Sequence, residues 1–335
     1  MSVSLDTILT LNRLATDFFV ARFPGSPAEA YVTRRGLAPK TIKKWQLGYA
    51  PAGWLNLTNH LEHIGHYTTS QLLAAGLVSS KEREDATTSF DTFRDRLMLP
   101  ILAEDGETIL GFSSRRIADL DESIPKYMNT ATTLAFSKKT VFYCEPNLIA
   151  ARAAGHVFVV EGNLDALTLT EAGQEGVVAL CGTALSAEHL RRLAGIGKIT
   201  LVLDADSAGM TAMTKALCAP GAADLDIGAI ILPSTNGEKV DPDAFIRAAG
   251  FDAWRALVET RLSRWDALWA ATREPYVDGL DHDDPHALIG WARAWGVLVG
   301  AQATPKESPR LFKSMDRALD LPFGTMALEF AASQA

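Results

Sequence analysis

Cysteine is scarce in this sequence. Cys144, Cys181 and Cys218 are the only three in 335 residues, and no two form a CxxC pair. That excludes a disulfide framework and a cysteine-ligated zinc module from the chain, and the thiols read as free and reduced. Long apolar runs are also missing: no stretch approaches the roughly 20 residues that span a bilayer. Around Asp6 the amino terminus has no basic flank ahead of an apolar run, so no secretory signal is expected. No G-x-x-x-x-G-K phosphate loop and no post-strand GxGxxG occur, and Ser113 and Ser186 sit in no nucleophile elbow. These absences remove support for a phosphate-loop nucleotidase, a dinucleotide dehydrogenase and a serine hydrolase. His60, His63 and His66 are spaced three apart, but no cysteine or acid completes a ligand set there.

What is present is ordinary for a soluble globular chain: 47% hydrophobic and 21% charged residues. The length implies two or three domains. The net charge of -8 argues against a general affinity for nucleic acid. The charge is unevenly spread, however. Residues 1–150 hold 16 basic and 16 acidic side chains, and residues 151–335 hold 16 and 24. The first half has room for a local basic surface, and the second concentrates carboxylates.

The amino-terminal pattern is helical. Leu5, Ile8, Leu11, Leu14 and Phe18 recur at helical spacing before Pro24 and Gly25. Short helices are predicted over 27–35, 38–45, 55–64 and 70–75. Near residue 90 the pattern changes. Residues 96–102 and 108–112 predict two strands joined by the turn Glu104-Asp105-Gly106-Glu107, with short extended segments near Tyr127 and Val141–Tyr143. From His156 a βαβα rhythm takes over, with strands at 156–160, 177–180, 199–203 and 227–232 separated by helices. The fold class is therefore α/β, a mostly parallel sheet covered by helices. It is preceded by a mixed α/β lobe (residues 1–150), carried by residues 151–250 and followed by a helical subdomain (residues 251–335). Trp254, Trp265, Trp269, Trp291 and Trp295 in that last region are expected to be core.

Three acidic clusters stand just past predicted strands: Glu161 with Asp165, Asp204 with Asp206, and Asp241 with Asp243. Open parallel sheets collect ligands beyond the carboxyl ends of their strands, so acids distant in sequence can converge there. Several carboxylates in one crevice repel unless a cation or proton intervenes. Mg2+ and Mn2+ favour such all-oxygen ligation and retain waters that phosphates displace. The pattern points to metal-dependent phosphoryl or nucleotidyl chemistry. Its bland counterpart is that acids are common in the first helical turns of any α/β protein, where the helix dipole favours them.

Arg94 and Arg96 precede and open the first strand of the hairpin, Arg115 and Arg116 follow the second, and Lys126, Lys138 and Lys139 come next, interleaved with Tyr127 and Phe136. A hairpin that joins its ends would line a groove with cations able to hold phosphates, with aromatics beside them to stack on bases. The bland counterpart is a solvated basic face paired with Asp91, Asp95 and Asp119.

Together these segments resemble the RNA-polymerase core of a bacterial DnaG-type primase. The likeness rests on Tyr31-Val32-Thr33-Arg34-Arg35-Gly36-Leu37, Gly48-Tyr49-Ala50-Pro51-Ala52-Gly53-Trp54, Phe93-Arg94-Asp95-Arg96 and Pro125-Lys126-Tyr127. Val160-Glu161-Gly162-Asn163-Leu164-Asp165, Asp204-Ala205-Asp206 and Asp241-Pro242-Asp243 resemble the Toprim fold shared with topoisomerases. The resemblance implies synthesis of short RNA primers on single-stranded DNA from ribonucleoside triphosphates. Glu161, Asp204 and Asp206 would be catalytic and hold Mg2+ or Mn2+, with Asp165, Asp241 and Asp243 completing the metal set. Arg94, Arg96, Arg115, Lys126 and Lys138 would bind nucleic acid or nucleotide. It also implies a cytoplasmic setting in a bacterial or phage-infected cell, no membrane, no zinc, and either a replicative helicase or a separate zinc-binding primase subunit as partner. The zinc module of full-length members is missing, which suggests a compact phage-, plasmid- or genome-encoded primase or a truncated one. Asn163-Leu164 and Ala205 depart from the usual residues, but the carboxylates are kept. The competing readings are a Toprim nuclease or topoisomerase-like strand-cleaving protein, and a non-catalytic single-stranded-DNA adaptor.

Overall fold

In the computed structural model the described residues are 3–83, 86–117, 124–203, 207–219, 221–233, 240–276, 312–313, 316 and 324–333. They belong to two compact units, Met1–Thr183 with Pro242–Trp254, and Ala184–Asp241 with Arg255–Ala335.

The first unit begins with α1 (Leu5–Ala21). Ser4 caps it by accepting from the Thr7 amide at 3.2 Å, and Asp6 lies in its positive first turn. Its buried stripe is Ile8, Leu11, Ala15, Phe18 and Phe19. Next come α2 (Pro27–Arg34), capped by Ser26 and opened by proline, and α3 (Pro39–Lys44). The strand β1 (Gly48–Ala50) crosses α1 so closely that a Cβ on Gly48 would lie 2.6 Å from Phe19 Cβ. Two more helices, α4 (Asn56–Gly65) and α5 (Thr69–Ala74), are followed by the hairpin β2 (Val78–Arg83) and β3 (Ala86–Asp91).

A four-stranded antiparallel sheet, ordered β1-β4-β5-β6, is built on β4 (Arg96–Leu102) and β5 (Ile109–Arg116) with β6 (Tyr127–Asn129) at its edge. Pro100 is tolerated within β4 because β1 pairs only with Arg96, Leu97 and Met98, so the neighbour on that side makes no demand on residue 100. Asn12 pins α1 to this sheet, its Nδ2 donating to the carbonyls of Ile109 and Leu110 at 3.1 and 3.0 Å. The same unit holds β7 (Phe142–Tyr143), α6 (Asn147–Ala154), β8 (His156–Val160), α7 (Asn163–Ala172) and β9 (Val177–Leu180). β8 and β9 run parallel from Phe158↔Val177 to Val160↔Ala179, and β7 joins β9 antiparallel.

The second unit contains α8 (Ala187–Leu193), β10 (Lys198–Leu203), α9 (Ser207–Leu217) and β11 (Ile227–Ile231). β10 and β11 pair in parallel from Ile199↔Ile227 to Leu203↔Ile231. The helix α10 (Pro242–Val258) bends at Gly250 (φ 81°), and its residues through Trp254 belong to the first unit. Then follow β12 (Leu262–Ser263), antiparallel to β11, α11 (Arg264–Tyr276) and α12 (Thr325–Ser333). Arg261 ties β10 to the residue before β11, donating to Thr200 Oγ1 at 2.9 Å and Asp226 Oδ1 at 2.7 Å.

The predicted α/β class and the main strands are present. The hairpin β2–β3 and the helix α6 are elements the sequence reading did not contain. Trp254 is buried, as expected, whereas Trp291 and Trp295 lie outside the described residues. Among the described residues no helix is long and apolar enough to cross a membrane.

Candidate nucleic-acid and metal site

The chain leaves β8 at Glu161, a half-buried residue, and turns through Gly162 into α7. Gly162 is required by a close approach: a Cβ there would run into the carboxylate of Asp165, which folds back over the turn. Asp165 itself is buried in the first turn of α7, where the helix dipole favours a negative charge. Beside it lies the amino end of α10. The Asp243 amide donates to Asp165 Oδ1 at 3.2 Å. The Asp243 carboxylate, fully buried, takes a hydroxyl bond from Thr168 at 2.7 Å and forms ion pairs with Arg35 and, at 2.8 Å, with Arg247. Burial, the largest single influence, would depress the Arg35 pKa, but the Asp243 charge, the interactions with Tyr31 and the influence of Tyr127 together outweigh it, and the net displacement is upward. Asp241 is half-buried just before the helix. Asp204 and Asp206 lie outside the described residues, immediately after β10. Among the described residues no three His, Cys, Asp or Glu side chains are grouped to hold a metal ion.

The basic residues divide into two kinds. Arg96 and Arg115 are buried and structural in posture. Arg96 Nη2 donates to the Pro125 carbonyl at 2.8 Å and Nη1 to that of Lys126 at 3.4 Å, fixing the approach to β6. Burial, and then the charges of Arg116 and Arg94, lower its pKa. Arg115 lies opposite Leu97 on β4 and Tyr127 on β6. Its guanidinium sits 4.3 Å from the Tyr31 ring centroid and 5.9 Å from that of Tyr127. Its Nε is buried and has no hydrogen-bond partner among the described residues. Lys126 and Lys138, by contrast, are exposed, and Arg94 is half-buried. Phe136 corrects an expectation: it is buried under β5, packed against Gly111, and has no face to offer a base. Tyr127 remains partly exposed.

Two asparagines join the basic sheet to the acidic turn within this unit. Asn163, the first residue of α7, donates from Nδ2 to Ser113 Oγ on β5 at 2.7 Å, while its Oδ1 is buried and has no partner among the described residues. Asn129, at the end of β6, donates to the Cys181 carbonyl just past β9 at 2.7 Å. Consequently the cationic strands β5 and β6 are held against the carboxyl ends of β8 and β9. Sequence reading missed Arg35, Thr168, Asn163 and Ser113. Arg35 and Asn163 stood within segments that carry the primase resemblance, but no site role was read from them.

Residues 20–148 match the family described as DNA primase catalytic core, N-terminal domain, and residues 155–230 match a Toprim domain. The DNA primase of Deinococcus radiodurans is 38% identical over 247 residues, which cover 72% of this chain and 41% of that protein. The chain thus spans about two fifths of the length of the curated relatives it matches. Among solved structures, the RNA polymerase domain of Mycobacterium tuberculosis primase DnaG superimposes with a TM-score of 0.79 at 28% identity, covering 94% of this chain and 99% of that one. The same domain in complex with a double-stranded DNA oligomer bearing a 6-nucleotide overhang gives a TM-score of 0.74 at 28% identity, over 95% and 99%.

Proposed function

We propose that this chain, which belongs to the DnaG-type primase RNA-polymerase/Toprim cores, synthesises short RNA primers on single-stranded DNA. The observation that carries the reading is the coupling of cationic strands to an acidic turn at the carboxyl end of β8 through Asn163 and Ser113. A nuclease or topoisomerase needs the acids but not the basic sheet.

The reaction joins a 3′-hydroxyl to the α-phosphate of a ribonucleoside triphosphate. The hydroxyl loses its proton, the new phosphorus–oxygen bond forms, and pyrophosphate leaves. The donor set is entirely carboxylate, which suits Mg2+ or Mn2+. Glu161, Asp204 and Asp206 would hold the ions, with Asp165 and Asp241 adjoining. Bound divalent ions supply charge stabilisation for the attacking and departing oxygens. Asp243 belongs to the acidic set in a different capacity: with its oxygens engaged by Arg35, Arg247 and Thr168, it anchors the Asp165 carboxylate. Arg94, Lys126 and Lys138 take phosphates of template or nucleotide, while Arg96 and Arg115 shape the strand edge that presents them. A replicative helicase and a separate zinc-bearing chain fit as partners that would recruit the core and select its start sites.

The test is incorporation of labelled ribonucleotides on mixed-sequence single-stranded DNA with Mg2+ or Mn2+. Product from the wild type and none from Glu161→Gln or from the Asp204→Ala, Asp206→Ala double variant is expected. Cutting of the DNA would establish the nuclease instead. DNA binding without synthesis in either metal, including with a zinc-bearing partner added, would establish the adaptor.

A further inference from the structure

Two arginines lie over the ring of Tyr31, which belongs to the buried stripe of α2 with Ala28 and Val32. The Arg115 guanidinium is 4.3 Å from the ring centroid and that of Arg35 is 5.0 Å from it. Both fall within the roughly 6 Å over which a cation is drawn to a π face. Burial pushes the Tyr31 hydroxyl up, and the charges of Arg115 and Arg35 offset that only in part, so the ring stays the neutral phenol. The two arginines lead in different directions. Arg35 pairs with the buried carboxylate of Asp243, whose amide donates to Asp165 in the acidic turn. Arg115 stands on β5, opposite Tyr127 of β6.

Arg115 depends on these rings. Its Nη1 donates to the Arg116 carbonyl at 3.0 Å, and its Nε has no partner among the described residues. A planar guanidinium stacks on an aromatic face in a way that no alkyl side chain reproduces. The next pair along the ladder is hydrogen-bonded, the Arg116 amide donating to the Lys126 carbonyl at 2.8 Å. Arg115 and Tyr127 therefore form a non-hydrogen-bonded pair, the kind in which cross-strand side chains approach most closely. A shift of Arg115 is felt at Tyr127 and at its exposed neighbour Lys126. Through Tyr31, the anchoring of the acidic turn and the edge of the basic sheet share one buried ring.

We infer that Tyr31 is a positioning residue for the primase reaction: its ring seats Arg115, and Arg115 sets the β5–β6 edge from which Lys126 reaches a phosphate of template or nucleotide. The inference rests on the primase reading above and adds to it a residue that acts through Arg115 and Lys126. A tyrosine that only fills the core matters by its volume. A seat for a cation matters by the negative charge on its face. Loss of that face should weaken phosphate binding about 2- to 30-fold, the equivalent of about 0.5–2 kcal/mol.

The test is binding of the whole chain to a fluorescein-labelled oligo-dT and to a fluorescent ribonucleoside triphosphate by anisotropy. Position 31 carries tyrosine, phenylalanine, trifluorophenylalanine or leucine, each with Lys126 present and with Lys126→Ala. Fluorine drains electron density from the ring face and leaves the packing almost unchanged, so the series separates charge from volume. Tyr31→Phe should bind within twofold of wild type. Trifluorophenylalanine should weaken binding to at least one probe, and Tyr31→Leu should weaken it at least about threefold. In the Lys126→Ala background the four side chains should bind equally, because the effect passes through Lys126. Three results would each overturn the inference: Tyr31→Leu within twofold of wild type on both probes, trifluorophenylalanine equal to phenylalanine, or the same loss in both backgrounds. The trifluorophenylalanine variant keeps the shape of the ring, so it decides the question even where Tyr31→Leu does not fold. Because the readout is binding, a chain that binds both probes yet makes no RNA defeats the primase reading alone.

Discussion

Arg35→Ala should be among the costlier single truncations of a partly exposed side chain in this protein. Its partner Asp243 is fully buried, and its other cation, Arg247, is nearly half exposed at 46% against 24% for Arg35. Removing Arg35 leaves a buried carboxylate held by the more hydrated arginine and the Thr168 hydroxyl. Breaking one side of a buried pair costs about 3–5 kcal/mol, and the surviving arginine sets the expectation at the lower end, about 3 kcal/mol. Removing Arg247 deletes the more exposed half and should cost about 1 kcal/mol. Asp243→Asn lets both guanidiniums rehydrate and keeps an acceptor for Thr168, so it should fall between them. The assay is urea unfolding followed by far-UV circular dichroism, with a double-mutant cycle on Arg35 and Asp243. A coupling free energy of about 2 kcal/mol is expected. Coupling below about 0.5 kcal/mol, or an Arg35→Ala variant no less stable than Arg247→Ala, would refute the claim that this pair anchors the amino end of α10.

Two further outcomes follow from the geometry. Gly162→Ala places a methyl group where the Asp165 carboxylate lies, so it should raise the Mg2+ concentration needed for half-maximal RNA synthesis about tenfold with little change in thermal midpoint; an unchanged metal requirement would remove Asp165 from the metal environment. Tyr49 is raised to about 12 by burial, and then by the hydrogen bond its hydroxyl donates to Asp95 at 2.7 Å and by the charge of that carboxylate. Between the ordinary tyrosine value of about 10 and that raised value the folded chain keeps a proton the unfolded chain has lost, so this stabilisation is complete below about pH 10 and is lost as pH rises toward 12. Tyr49→Phe should flatten the alkaline fall in unfolding free energy, and equal slopes for the two proteins would contradict the assignment.

The legible parts of the fold were those whose burial leaves a periodic trace. α1 shows its apolar stripe and β8, β9, β10 and β11 show short apolar runs, because each element buries one face or both against the core. The hairpin β2–β3 left no such trace: Ser79, Ser80, Lys81, Glu82, Thr87, Thr88 and Ser89 are polar on both faces, and a strand with little burial is specified by its partner more than by its pattern. The same distinction runs through the site. Glu161 and Asp165 were visible because the pairing of acids past a strand is repeated by Asp204 with Asp206 and by Asp241 with Asp243, a combination that single acids in first helical turns do not make. Arg35 was not, since an arginine at the end of a short helix reads as a favourable dipole charge, and only the fold brings it to a carboxylate 208 positions away. Asp243 shows the converse. Its Asp-Pro-Asp context marked it as an acid among acids, yet what decides its behaviour is the pair of guanidiniums that neutralise it in a buried place. Trp54 completes the argument. In sequence it is one tryptophan among seven, the last residue of the Gly48–Trp54 segment, with nothing to show whether it is buried. Its two-thirds exposure follows from hydrogen bonds made by its neighbour Asp91, and those bonds join residues more than thirty positions apart. Chemistry that depends on local residue type can be read along the chain. Chemistry that depends on which groups are denied water requires the fold, and in this protein the anchoring of Asp165 and the exposure of Trp54 are both of the second kind.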